Sequence, residues 1–230
     1  MLAPAPSALR PIEAADVRDL LGIVQASLTT ARAPLISAVE GDNSEPDALV
    51  ADVAHFLTII HGELPGLMDL VAKEVPAFRL PLQPAIAAFQ DDRQWLTSLC
   101  LESGPRRDRR GLTEAETVVR GLREAMLTLA RSSREGCAVG AVLAFLCDWP
   151  GLRSTLNDAG RLAFAARWPA RPGAWPADAL TECTASADPL YQDRSGARAI
   201  AFGAQQFSLF HAQLFEMIAA RAKARHLGAR

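Results

Sequence analysis

"CAVGAVLAFLCDW", residues 137–149, would clothe a helix in apolar side chains on nearly every side, with Asp148 its one charge. A helix at a protein surface keeps a polar stripe, so a helix without one belongs in a core or a membrane. The run falls short of the roughly 18 residues that a membrane span needs, which predicts a central, buried helix. Gly136 and Gly140, four apart, would let a neighbouring backbone come close. Asp148 and Trp149 are expected to end the helix ahead of Pro150.

Helical periodicity continues on both sides of this run. Ala115, Val118, Val119, Leu122, Ala125, Met126 and Leu129 recur at three and four, and Thr113 with Glu116 has the form of a capping box. Ser44 with Asp47 opens a second helix, with Pro46 in its first turn and Leu49, Val53, Phe56, Leu57 and Ile60 on one stripe. A third is expected from about Pro84 to Glu102 and an N-terminal one from about Ile12 to Leu28. The last, from about Ser195 to Arg225, carries Ile200, Gly203, Phe207, Phe210, Leu214 and Met217 as a seam. No stretch alternates with period two and no repeat is visible. The expected architecture is an all-α, single-domain bundle of about seven or eight helices spanning residues 1–230. Residues 1–11 are expected as a flexible tail, and 167–194 as an irregular lid-like segment with a short helical candidate near Asp178.

Composition bounds the function. Half of the residues are hydrophobic, and 24 basic side chains nearly balance 26 acidic ones. No global field would recruit nucleic acid or an anionic membrane, so neither is expected as a partner. The start lacks a signal peptide's charged and apolar regions, and the expected location is the cytoplasm. The cysteines Cys100, Cys137, Cys147 and Cys183 form no zinc pattern. "ESGPRRDRRG", 102–111, reads as a solvated basic turn.

The chemistry concentrates in "HFLTIIHGELPGLMD", residues 55–69. Asp52 and His55 share a helix face at metal-motif spacing, but a paired metal site needs a second copy, and none is present. His55 and His61 lie about 120° apart around a helix, too far for one ion, so no metal is expected. His61-Gly62-Glu63-Leu64-Pro65-Gly66 reads in two ways. It is a helix–turn–helix corner, with Gly62 as a left-handed cap and Pro65 in the next helix's first turn. Alternatively, His61 and Glu63 face a cavity in which the carboxylate orients the imidazole. His211 lies beside the apolar seam of the last helix and points into or along the core. Arg93 interrupts an apolar stripe and, if buried, needs an acid such as Asp148 or Glu63.

"FSLFHAQLFEMIAARA", residues 207–222, is similar to the closing helix of TenA/thiaminase-II proteins, which have the heme-oxygenase-like all-helical fold. In that family the segment carries a Glu, then an aromatic pair and an acid; here His211, Leu214, Phe215 and Glu216 occupy those positions. "CAVGAVLAFLCDW" resembles the family's cysteine-bearing helix without its tyrosines, and "FQDDRQWL" its Gln-Asp-aromatic stretch. The resemblance implies a heme-oxygenase-like bundle, while His211 in place of the catalytic Glu argues against thiaminase activity. "HGELPGLMD", "GCAVGA" and "FGAQQ" also resemble a family of alphaproteobacterial proteins of unknown function.

The expected function is binding or transformation of a small, partly apolar molecule in an inter-helix cavity. His61, Glu63, Arg93, Asp148 and His211 are its candidate polar lining, and Trp168 to Trp175 its candidate lid. The competing expectation is a non-enzymatic scaffold acting as a homodimer, supported by the lack of a Gly-rich phosphate loop or G-x-S-x-G elbow. The sequence does not identify a cofactor.

Overall fold

Pro150 lies inside the central helix rather than after it. The computed structural model describes residues 14, 16–40, 45–104 and 111–228, and among these the secondary structure is α-helical with no strand. The helices are α1 (Val17–Ala31), α2 (Ala33–Glu40), α3 (Pro46–His61), α4 (Leu67–Glu74), α5 (Gln83–Ser103), α6 (Leu112–Ala130), α7 (Glu135–Phe164), α8 (Asp178–Gln192) and α9 (Arg194–Gly228). Nine described helices exceed the expected seven or eight because α2 and α4 are only 8 residues each. The tail, Ser44 and most of the basic turn lie outside the described residues.

α7 runs 30 residues through Pro150. A proline inside a helix removes one hydrogen bond and costs about 3 kcal/mol. Continuing past it buries Leu152, Leu156, Ala159 and Phe164, which offsets that cost. α7 packs against α1, α2, α3, α4, α6, α8 and above all α9. The α7–α9 contact is backbone against backbone. A Cβ on Gly140 would fall 1.9 Å from the Ile200 carbonyl oxygen, and one on Gly203 equally close to that of Cys137. Gly136 meets Ala199, Gly140 meets Ile200 and Ala204, and Phe145 meets Phe207. Positions rise together along both chains, so the two helices are parallel.

Several caps differ from expectation. α6 begins two residues early, on Gly111 at φ 64°, so Thr113 sits inside the helix rather than capping it. Glu116 instead pairs with His55 at 2.8 Å. α3 starts at Pro46 with no side-chain cap. α1 is capped by Asp16, whose carboxylate accepts the Asp19 N–H at 2.8 Å, and α9 by Asp193, which accepts those of Ser195 and Gly196. Of the segment 167–194, residues 178–192 form the full helix α8, whose buried face is Ala179, Cys183 and Ala187. Residues 168–177 alone are an irregular strap.

The helix contact can be tested with two kinds of glycine substitution. Gly140→Ala and Gly203→Ala should each destabilise the protein by about 3 kcal/mol, because a rigid backbone oxygen cannot give way. Gly22→Ala, in open space on α1, should stabilise by about 0.5–1 kcal/mol. Urea unfolding would show both signs.

Candidate functional site

His61 closes α3 and His211 lies on α9. The two helices bring their Nε2 atoms to 3.0 Å in the core, where His61 is 3% exposed and His211 0%. On its other side His211 Nδ1 stands 3.2 Å from Asp148 Oδ2. Asp148 Oδ1 accepts from Arg32 Nη1 at 2.6 Å, and the same nitrogen donates to the Asp148 carbonyl oxygen. A continuous chain Arg32–Asp148–His211–His61 therefore runs through the core. Its hydrogens follow from the acceptor at its centre. A carboxylate only accepts, so His211 Nδ1–H donates to it, and one of the two facing Nε2 atoms donates to the other.

Aromatic rings enclose this chain. Phe89, Phe145 and Trp149 stand edge-on to His61 with centroids 6.2, 5.3 and 5.7 Å away, and Phe207 lies 4.3 Å from His211. Burial holds the His61 imidazole well below its ordinary value of 6.5, and His211, Arg93 and Arg123 act in the same direction. His61 is thus a neutral imidazole near pH 7, able to donate at one nitrogen and accept at the other.

The "HGELPG" stretch is a corner with the buried His61 at its edge. Gly62 is right-handed at φ −74°, not left-handed, and Pro65 follows a cis peptide bond before α4 rather than sitting within it. Gly66 caps α4, and Asp69 Oδ2 accepts its N–H at 2.8 Å. Arg93 donates to the His61 carbonyl at 3.3 Å and to Asp69 Oδ2 at 2.7 Å. Its acid is therefore Asp69, not Asp148 or Glu63. Asp148 is taken by Arg32, and Glu63 points outward to Arg123 at 3.6 Å, 63% exposed. Glu63 does not orient His61.

A second buried chain touches the first through Trp149. Its indole N–H donates to Asp92 Oδ2 at 2.7 Å, and Asp92 Oδ1 lies 2.9 Å from Arg153 Nη2 without the alignment of a hydrogen bond. Burial raises the Asp92 carboxyl above its ordinary value of 3.8. Arg153 Nη2 also donates to the carbonyl oxygens of Pro172 and Gly173, both at 3.1 Å.

Of the residues singled out from sequence, His61, His211, Asp148 and Arg93 come together. Trp175 reaches the same aromatic cluster through Phe89 at 6.5 Å, whereas Trp168 stacks on Phe164, away from the histidines. Arg32, Asp92 and Arg153 have no place in the sequence reading, and Asp69 has one only as a residue that a folded-back corner would bring to His61. For two of them the signal existed: Asp92 falls between Phe89 and Leu96, and Arg153 between Trp149 and Leu156, each a charge in an apolar stripe. Asp52 pairs with Arg221 and Arg225, apart from His55. Among the described residues no group of three His, Cys, Asp or Glu side chains could hold a metal ion.

Fold and site together define an all-helical protein built round a buried His–His–Asp–Arg chain. The chain belongs to the DUF6975 family, a family of unknown function whose model matches residues 25–226 and so spans every residue of the site. No curated protein and no solved structure matches it.

The lowered His61 value fixes the sign of a pH effect. Unfolded, His61 takes up a proton near pH 6.5; folded, it does so only at lower pH. Its contribution to stability is therefore complete above pH 6.5 and lost as pH falls, by up to about 1.4 kcal/mol per pH unit. His61→Gln should flatten this part of the stability–pH curve between pH 6.5 and 5. Asp92 acts oppositely nearer 3.8 and is common to both proteins, so the difference between their denaturation curves isolates His61.

Proposed function

We propose that this protein binds or transforms a small, partly apolar molecule in a compartment between its helices, with His61 and His211 as the polar end of that compartment. The observation that carries this reading is the 3.0 Å bond between two buried imidazoles, one held in place by Asp148 and Arg32, inside aromatic walls. Burying a carboxylate and a guanidinium to orient an imidazole is costly, and a well-packed apolar core would serve a purely structural bundle as well. A neutral His61 offers a ligand one donor or one acceptor, and the rings offer it apolar contact.

The heme-oxygenase-like architecture is part of the same proposal: α9 presents His211 to the core, where the TenA/thiaminase-II helix carries its glutamate. Cys137 packs against Gly203, eight residues and about 12 Å of helix from His211. That spacing favours imidazole chemistry over thiolate chemistry. We place the protein in the cytoplasm, without nucleic acid or membrane as partner. α7 with the turn after it is long and apolar enough to cross a membrane, but 83% of its apolar window is buried against the other helices.

A second reading, a homodimeric scaffold, is favoured by Phe202. It is 50% exposed in an open groove of about 880 Å³ between the starts of α7 and α9.

Native mass spectrometry of the purified protein, with elemental analysis of the same sample, separates the two. A retained small molecule or ion, lost from His61→Gln and His211→Asn proteins whose melting temperatures stay within a few degrees of wild type, is the expected result. A bare mass, a firm dimer and variants that differ from wild type only in stability would establish the scaffold.

A further inference from the structure

The strap 168–177 contains Pro169, Pro172 and Pro176, which remove donors and stiffen it into a piece that moves as a unit. Among the described residues, backbone–backbone hydrogen bonds outside the helices touch it only at its ends, from Trp168 N–H to the Ala165 oxygen and from Ala179 N–H to that of Pro176. One end is fixed. The Trp168 ring fills a notch over Gly160, where a Cβ would come within 1.9 Å of it, and stacks on Phe164.

The middle is held by side chains of other helices that grip its carbonyl oxygens. Trp95 donates to Pro169 at 3.2 Å, and Arg153 to Pro172 and Gly173. Pro169 and Pro172 are half-buried and Gly173 is exposed, so water can take over these hydrogen bonds once the strap lifts, and the grip is releasable in a way the Trp168 wedge is not. Beneath the strap lies a single file of rings. Half-buried Trp175 meets Phe89, and Phe89 meets His61.

We infer that residues 168–177 form a cover over the aromatic enclosure, hinged at Trp168 and latched by Arg153, and that releasing the latch opens the route by which a small molecule reaches His61. Arg153 is suited to the part because it ties the strap to Asp92 and through it to Trp149, which stands against His61. The inference rests on His61 and His211 being the site, but its test needs no ligand.

The test pairs two readings on the intact protein, both located by mass spectrometry: hydroxyl-radical oxidation of the Trp175 ring, half-buried in the strap, and carbethoxylation of each histidine by diethyl pyrocarbonate. In wild type His61 should react far more slowly than exposed His226. Arg153→Gln should speed His61 labelling about tenfold, the effect of losing one or two hydrogen bonds, and should speed Trp175 oxidation, with hydrogen–deuterium exchange of the α3 and α9 amides unchanged. Faster Trp175 oxidation without faster His61 labelling would overturn the cover, and no change in either would overturn the latch. Should Arg153→Gln loosen α3 and α9 as well, Trp95→Phe, which loses only the bond to Pro169, is read by the same two criteria and decides.

Discussion

α7 and α9 touch through bare backbone, and the interior is arranged round that contact. Gly140 and Gly203 leave no room for a methyl group, so the helices lie closer than ordinary side chains would allow. Dispersion is won along the whole parallel seam, through Phe145 against Phe207 and on to Asp148 against His211. α3, also packed on both helices, then delivers His61 to the same point. The histidine pair is a product of where three helices meet, not of any local motif.

Three buried carboxylates join helices distant in sequence. Asp148 meets Arg32 at the end of α1, Asp92 on α5 meets Arg153 on α7, and Asp52 on α3 meets Arg221 and Arg225 on α9. Such pairs add little net stability, yet an alternative packing that missed one would strand a charge at about 3–5 kcal/mol. They select among arrangements that apolar contact alone would leave nearly equal. Arginine suits this use, since its planar fork can serve a carboxylate and a carbonyl together, as Arg93 does with Asp69 and the His61 oxygen.

The all-α class, the central helix and the inward turn of His211 were legible because each follows from periodicity within one segment. The partners were not. Periodicity says which side chains face inward but not which helix faces them, so Arg93 was assigned to Asp148 or Glu63 when Asp69 lay across the corner. Where α8 runs 15 residues the sequence shows only a short helical candidate near Asp178, because the buried face is Ala179, Cys183 and Ala187, small side chains that give a faint apolar stripe, with Pro189 near its end. Proline disfavours helix locally, so the sequence suggests an end to α7 at Trp149, whereas burial beyond it outweighs one lost bond. Local chemistry misled wherever tertiary packing had more to offer.

Gly140 lies eight residues before Asp148, and Gly203 eight before His211. The parallel helices thus count out equal lengths from their point of closest approach to their polar contact. Inserting one residue into either interval would turn the far partner by about 100° and slide it about 1.5 Å, carrying carboxylate or imidazole off the shared face. The spacing of the chain is therefore constrained as tightly as its composition. A substitution on the seam acts at its own position, but a change of length between these positions separates the site from its frame at a single stroke.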